Sequence, residues 1–228
     1  MSWVGFWVRS ILFPRRCMFC RSLLTEQETY MCRKCRVSVP DYPYGALNPA
    51  PAGKNSSHFL DSFTAVWYYE GDVRGSILRY KFRRAAHLAP KFGAHLAMKL
   101  LEQGLEQFDV LTWVPVSTLR RFRRGYDQCQ LLAKAVGEEL GTPSRRTLRK
   151  IRNTPPQSGL ASASARRANV LGAYKVVKDT DLHGKRVLLV DDIFTTGATM
   201  NECARMLLTA GAKEVHGAAI AAVRHQKK

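Results

Sequence analysis

Two neighbouring carboxylates, Asp191 and Asp192, follow a short apolar run that predicts a buried strand at Val187–Val190. Ligands of open α/β sheets lie beyond the carboxyl ends of the strands, and the N–H groups at the start of a helix bind anions. Carboxylates accept hydrogen bonds from ribose hydroxyls or hold hydrated Mg²⁺. Segment 187–199 therefore predicts a phosphate-binding loop. The loop residues assigned to the ligand, besides the two aspartates, are Thr195, Thr196, Gly197, Ala198 and Thr199.

Two other architectures place acidic residues after an apolar strand. A receiver domain does so, but only 36 residues follow Asp192, too few for the remaining strands of that fold. A purely structural strand-turn-helix has no use for two unpaired carboxylates at a buried strand end, where uncompensated charge is costly. The phosphate-binding interpretation is preferred over both.

Four cysteines form two pairs, Cys17/Cys20 and Cys32/Cys35, each with two residues between its members. Four thiolates at this spacing satisfy tetrahedral Zn²⁺ and leave no open position, so the pattern predicts one structural zinc site. A redox pair is the alternative for a single such motif. Residues 14–36 contain few aliphatic side chains, which indicates a fold held by the metal rather than by a hydrophobic core.

The isolated cysteines and two of the tryptophans are interpreted as core residues. Cys129 and Cys203 lie on apolar faces of predicted helices and are expected in the core. Trp67 and Trp113 lie in predicted strands and are also expected to be buried.

Alternation of strands and helices predicts the fold class: an α/β domain with a mainly parallel sheet covered by helices. The predicted strands are 63–69, 109–116, 187–190 and 215–223, and the predicted helices include 72–82, 86–103, a segment ending at Leu140, and 198–210. Proline and glycine concentrate between residues 40 and 57. We therefore expect a zinc-ribbon-like module at 1–39, a linker at 40–57 and the main domain at 58–228.

The 228-residue chain carries 36 Lys and Arg against 18 Asp and Glu, a formal charge of +18. Half of this net charge lies in segment 117–169, which contains twelve basic residues and three acidic ones. This composition favours nucleic acid or a phosphorylated metabolite as partner over a generically basic surface. Arg9 interrupts the apolar run 1–13, which is too short to span a bilayer. No membrane insertion, a cytoplasmic location and reduced thiols are expected.

Segment 187–199 resembles, at all thirteen positions, the signature by which type I phosphoribosyltransferases bind 5-phosphoribosyl-1-pyrophosphate (PRPP). The resemblance implies a type I phosphoribosyltransferase-like domain that binds PRPP with Mg²⁺. It also assigns roles to the loop. Asp191 and Asp192 would hold the ribose and the metal, and Thr195 to Thr199 would hold the 5-phosphate.

Two further stretches resemble the ComF family, which includes the GntX-like proteins. The first is Val114–Ser117 with the following Arg-Gly-Tyr-Asp-Gln run, in which Tyr126 and Asp127 replace the family's Phe and Asn; the second is 153–160 with its continuation to Tyr174. By this resemblance the first flanks the pyrophosphate, and the second closes over the ligand. An ordinary solvated face remains the alternative for each arginine. The pyrophosphate and mobile-loop candidates are Ser117, Arg120, Arg124, Arg149, Arg152, Gln157, Arg166 and Arg167.

The ComF resemblance implies a role in DNA uptake and utilisation (competence), with single-stranded DNA and competence or DNA-uptake proteins as partners. The basic zinc module and segment 117–169 fit this role. One alternative is an active phosphoribosyltransferase that transfers phosphoribose from PRPP to an unidentified nitrogen acceptor. Another is a PRPP-responsive regulator without turnover. No acceptor-base pocket is readable in the sequence, so whether the protein is an enzyme stays open.

Overall fold

Six strands organise the protein, for which a computed structural model describes residues 14–43, 59–154 and 163–224. They are β1 (Ser62–Tyr68), β2 (Val110–Trp113), β3 (Leu148–Lys150), β4 (Tyr174–Val176), β5 (Arg186–Phe194) and β6 (Glu214–Ala222). Four of them form a parallel sheet in the order β1-β6-β5-β2, and β3 and β4 form a separate antiparallel pair. The predicted α/β class with a mainly parallel sheet is confirmed.

Helices cover both faces of the parallel sheet. They are α1 (Arg33–Ser38), α2 (Gly71–Phe82), α3 (Ala89–Leu101), α4 (Thr118–Arg124), α5 (Gln128–Leu140), α6 (Ala163–Val170) and α7 (Ala198–Thr209). Leu188 and Val190 of β5 face the core formed with α2, α3 and α5, whereas Val187 and Leu189 face the core formed with α6 and α7. This alternation follows from the two-residue period of a strand.

The predicted strand at 187–190 is longer in the structure. β5 continues to Phe194 and pairs with β6 along its whole length, so Asp191 lies opposite Ala219 within the sheet. The alanines of β6 leave little side-chain bulk there. The predicted strand at 109–116 is shorter and ends at Trp113, and the predicted helix 86–103 starts with a 3₁₀ turn before α3. None of the helices in the described segments combines the length and apolarity needed to cross a bilayer.

The cysteine-rich segment packs against the main domain. Met18 and Phe19 are fully buried in the core that contains α2 and α3, and the Phe19 ring meets Trp67 edge-on at 5.0 Å. The Arg79 guanidinium donates to the carbonyls of Met18 and Phe19 at 2.8 and 2.7 Å. The module therefore contributes side chains to the main core, which the shortage of aliphatic residues around its cysteines did not indicate.

The first residues of the predicted linker extend the sheet edge. The Tyr42 N–H donates to Val66 at 2.8 Å, and the Tyr68 N–H donates to Pro40 at 3.1 Å. Residues 44–58, which include most of the predicted linker, lie outside the described residues. The boundaries 1–39, 40–57 and 58–228 stay predictions.

Candidate functional site

The two carboxylates lie at the edge of the sheet where β5 and β2 approach their carboxyl ends. Trp113 of β2 pairs with Val190 of β5, and the Val114 N–H donates to the Val190 carbonyl at 2.9 Å. Asp191 is half-buried and Asp192 is buried. The sheet therefore brings the segment after β2 beside the predicted phosphate-binding loop.

Asp192 is engaged by protein groups on both oxygens. Lys81 of α2 places Nζ 2.9 Å from Oδ1, and the Gln128 side-chain amide donates to Oδ2 at 2.9 Å. Burial disfavours the charged form of Lys81, but the carboxylate of Asp192 outweighs it and raises the pKa of the lysine above its ordinary value. The ion pair fixes Asp192, so Asp191 is the carboxylate that stays available to a ligand.

Asp191 has a different environment. Its Oδ1 accepts from the Cys129 thiol at 3.2 Å and from the Asp192 N–H at 2.8 Å. Burial, followed by the charge of Asp192, raises the pKa of Asp191 to about 7. Cys129 is buried as predicted, but it also contacts the site. A hard cation or a pair of ribose hydroxyls would restore the charged form of Asp191.

Asp127 holds the start of α5 in place. Its Oδ1 accepts from the N–H groups of Cys129 and Gln130 at 3.0 and 3.1 Å, and its Oδ2 accepts from the Val116 N–H at 3.4 Å. Both are acceptor roles on different oxygens, and the family's asparagine, with one acceptor oxygen, could fill only one of them. Asp127 therefore connects α5 to the segment that follows β2.

The predicted loop leads directly into α7. Gly197 adopts φ +71° at the N-cap of this twelve-residue helix, and glycine has no side chain to cap the helix start. The hydroxyl of Thr196 is buried and has no hydrogen-bond partner among the described residues. A helix start favours an anion through its dipole, and this unpaired hydroxyl adds a donor beside it.

A second group of candidate anion-binding residues lies around the β3–β4 pair. Arg120 of α4 donates to the Thr154 carbonyl at 2.9 Å, and Lys150 of β3 donates to the Thr154 hydroxyl at 2.8 Å. Two cations thus converge where segment 153–160 begins. Burial, followed by the charge of Arg120, lowers the pKa of Lys150 to about 8. An anion near Thr154 would relieve this repulsion.

The remaining predicted anion ligands do not converge on one point. Ser117 caps α4 by accepting from the Arg120 N–H at 3.4 Å, and Arg124 lies over the Phe82 ring. Arg152 donates to the carbonyls of Asn169 and Leu171. Arg149 and Arg167 are exposed, Arg166 is half-buried, and Gln157 lies outside the described residues. Arg120 therefore lies where segment 153–160 begins. Arg152 instead bonds to the backbone at the end of α6.

The four predicted zinc ligands form one cluster. The sulfur atoms of Cys17, Cys20, Cys32 and Cys35 lie within 4.8 Å of one another. The Cys20 and Cys32 sulfurs are 3.6 Å apart, close to the ~3.8 Å that tetrahedral Zn–S bonds of about 2.3 Å impose. The N–H groups of Cys32 and Cys35 point at sulfur atoms of Cys17 and Cys32 at 3.5 Å. The thiol donor set and its geometry fit a structural metal ion.

Comparison with known proteins agrees with this geometry. Residues 127–228 match the phosphoribosyl transferase domain family. Competence protein F of Haemophilus influenzae is 26% identical over 218 residues, which cover 89% of this chain and 95% of that protein. DNA utilization protein YhgH of Salmonella typhimurium is 29% identical over 217 residues, 89% of this chain and 94% of that protein. The chain is a homologue of competence protein F and of the ComFC and YhgH proteins over most of its length, and it carries a phosphoribosyl transferase domain.

The solved structure of glutamine PRPP amidotransferase from B. subtilis is also similar to part of this chain. It shares 25% sequence identity with a TM-score of 0.41, and the match covers 62% of this chain and 30% of that one. The overlap is too low to add to the family assignment.

Lys81, Gln128 and Lys150 are candidate site residues that the sequence analysis did not select. Gln128 was part of the family's segment but received no role. Lys81 follows Val73, Ile77 and Tyr80, the buried face of α2, and lies four residues after Ile77. A lysine at a position that helical periodicity assigns to the core was the available signal.

The loop between β5 and α7 depends on Gly197. A Cβ at this position would lie 2.5 Å from the Phe194 ring, and φ +71° is strained for alanine. Gly197→Ala is therefore expected to cost about 2 kcal/mol and to lower Tm by about 6 °C in a thermal melt. Gly104→Ala is the control, because Gly104 shares the positive φ but has no atom within 4 Å of its Cβ. Equal losses would contradict the role of the Phe194 contact.

Proposed function

We propose that this chain binds PRPP with Mg²⁺ at the Asp191 edge of the sheet and acts in DNA uptake and utilisation, in contact with single-stranded DNA. The observation that carries the first part is a half-buried carboxylate, Asp191, close in the chain to a helix start at which the buried Thr196 hydroxyl has no partner among the described residues. Asp191 holds ribose hydroxyls or the metal, and the loop from Thr195 to Thr199 holds the 5-phosphate.

The DNA part of the proposal rests on family membership and on charge. The relatives carry the names competence protein F and DNA utilization protein YhgH. The formal charge of +18 attracts polyanions. Contacts with competence or DNA-uptake proteins, and action in the cytoplasm, belong to the same proposal.

Anisotropy of a labelled single strand, measured with zinc-loaded protein across a salt series, tests the DNA contact. We expect binding that weakens steeply with salt, since the contacts release counterions from phosphates. A shift of the affinity for the single strand on addition of Mg²⁺-PRPP would show that the two sites are coupled. Absence of binding at low salt would contradict the DNA contact and would leave PRPP binding to be judged by calorimetry.

Lys150 gives PRPP binding a pH dependence. Its charged form supports the anion, and its pKa near 8 means that the charge is lost above that pH. The loss of charge on Lys150 lowers the affinity for Mg²⁺-PRPP about tenfold from pH 7 to pH 9, and ionisation of Asp191 over the same range offsets about twofold, so calorimetry is expected to show a net fall of about fivefold. Lys150→Arg stays charged and should flatten the profile. An unchanged profile in Lys150→Arg would exclude Lys150 as the source.

An active phosphoribosyltransferase is the second candidate function. The pKa of about 7 at Asp191 suits a group that accepts a proton from a nitrogen nucleophile near neutral pH. Release of pyrophosphate from PRPP on addition of nitrogen acceptors measures this activity. No release with any acceptor, despite PRPP binding, would favour a PRPP-responsive regulator.

A further inference from the structure

Helix α4 exposes all of its side chains at least in part. None of its seven residues is buried, and the Phe122 ring is 87% exposed. Phe82, at the last position of α2, is 63% exposed. A single exposed ring needs no explanation, but here two belong to neighbouring elements, since the Arg124 guanidinium of α4 lies 4.9 Å from the centre of the Phe82 ring.

Four exposed arginines lie close in the chain to the two rings. Arg121 and Arg123 flank Phe122 on α4, and Arg83 and Arg84 directly follow Phe82. Within the described segments, none of these four forms an ion pair with a carboxylate; the ion pairs found there involve other cations. α4 and the end of α2 therefore combine exposed rings with positive charge that no carboxylate compensates there.

Contacts on the opposite side of α4 hold this surface beside the candidate site. Arg120 bonds to Thr154, and the Tyr126 hydroxyl donates to the Tyr80 carbonyl of α2. Arg120 and Arg124 are four residues apart and share the inward face, whereas Leu119 and Phe122 are three apart and share the outward face. Lys81, next to Phe82, makes the ion pair with Asp192. The surface therefore borders the phosphoribosyl site.

We propose that α4 together with Phe82 and the two arginines after it binds single-stranded DNA. Bases stack on Phe122 and Phe82, and phosphates contact the four exposed arginines. Unpaired bases expose the ring faces that such stacking needs, which a duplex keeps inside its own stack. The charge excludes a basic partner and favours a polyanion. This inference rests on the proposed function and gives its DNA contact a location.

The test compares full-length, zinc-loaded variants by anisotropy with a labelled oligothymidylate. Phe82→Ala/Phe122→Ala is expected to weaken binding at least tenfold with an unchanged salt slope, because stacking is lost while phosphate contacts stay. Arg121→Gln/Arg123→Gln is expected to reduce the salt slope by about 1.4, or 0.7 for each phosphate contact on a single strand. Phe122→Trp should retain binding. Met98→Ala, an exposed apolar change on α3, is the control and should bind as wild type.

Three outcomes overturn the proposal. Binding of Phe82→Ala/Phe122→Ala at wild-type affinity excludes this surface and leaves the proposed function standing. Duplex DNA that binds as tightly, with the same dependence on the rings, excludes single-strand stacking. Failure of the wild type to bind the oligothymidylate at low salt overturns this surface and the DNA contact together, and calorimetry with Mg²⁺-PRPP then shows whether ligand binding survives. Unchanged thermal melts of the variants, whose changed side chains are exposed, exclude unfolding as the cause of lost binding.

Discussion

Replacing Asp191 with asparagine is expected to lower the affinity for Mg²⁺-PRPP about 100-fold, which corresponds to ~2.7 kcal/mol. Asparagine keeps the oxygen that accepts from Cys129 and from the Asp192 N–H, so local geometry stays intact. What is lost is the negative charge that ribose hydroxyls or Mg²⁺ require. Titration calorimetry at pH 8, where the wild-type carboxyl is ionised, measures the loss.

The stability of the folded protein should not fall with the affinity for Mg²⁺-PRPP when Asp191 is replaced by asparagine; it should stay the same or rise. The pKa of Asp191 is raised to about 7 in the folded protein, so the destabilising contribution of this one group is absent below about pH 4 and grows as the pH rises through 7. Asp191→Asn removes this penalty because no charge forms. Its Tm at pH 8 is therefore expected to equal or exceed that of the wild type, and its Tm between pH 5 and pH 8 should change less.

Asp192→Asn is the matched comparison. It leaves the ammonium of Lys81 buried without its partner, which is expected to cost about 3–5 kcal/mol. Adding Lys81→Met removes the orphaned charge and should recover most of the stability in a double-mutant cycle. If Asp191→Asn were destabilised and Asp192→Asn were stable, Asp191 would be the partner of Lys81 and Asp192 the carboxylate available to the ligand. Full PRPP affinity in Asp191→Asn would remove it from the ligand site.

Replacing Cys35 with serine is expected to abolish zinc binding and to lower Tm by about 10 °C without unfolding the main domain. Loss of the metal frees the segment that carries Met18 and Phe19, and these side chains then leave the core around Trp67. Removing a buried Phe costs about 3–5 kcal/mol, and each kcal/mol lowers Tm by about 2–4 °C at this size. Zinc content by elemental analysis and a thermal melt check both parts.

Two variants separate the metal from the packing. Lys34→Ala changes an exposed side chain between the same cysteines and should keep both zinc and Tm. Phe19→Ala should keep the zinc but show a similar fall in Tm. An unchanged Tm in a zinc-free Cys35→Ser protein would contradict the coupling and would support a module that folds on its own.

The amino-acid sequence determined the parts of the site that one continuous segment carries. The strand, the two aspartates and the turn into α7 are adjacent in the chain, so their chemistry was visible from residue types alone. The cluster of four cysteines could also be predicted, because their paired spacing is the one expected for four ligands of a single metal ion. The burial of Trp67, Trp113, Cys129 and Cys203 followed from apolar periodicity.

Short elements without a repeating pattern escaped prediction. β3 and β4 are three residues each, and none of the residues of α4 is buried. These elements therefore show no periodic pattern of apolar residues from which they could be predicted. The aspartates were expected after their strand, but β5 includes them because pairing with β6 continues past Val190. Strand ends depend on the neighbouring strand, which one segment cannot reveal.

Only the tertiary structure decided that the two carboxylates have different partners. Lys81 is 111 positions before Asp192, and Gln128 is 64 positions before it, yet both bond to that residue. The docking of Met18 and Phe19 on Trp67 and α2 could not be predicted either, because in the sequence these residues are only spacers between paired cysteines. Such contacts depend on how the chain packs over long separations. Sequence alone determined which residue types the candidate site and the cysteine cluster contain, and the packing of distant helices decided the partners of Asp192 and the docking of the cysteine-rich segment.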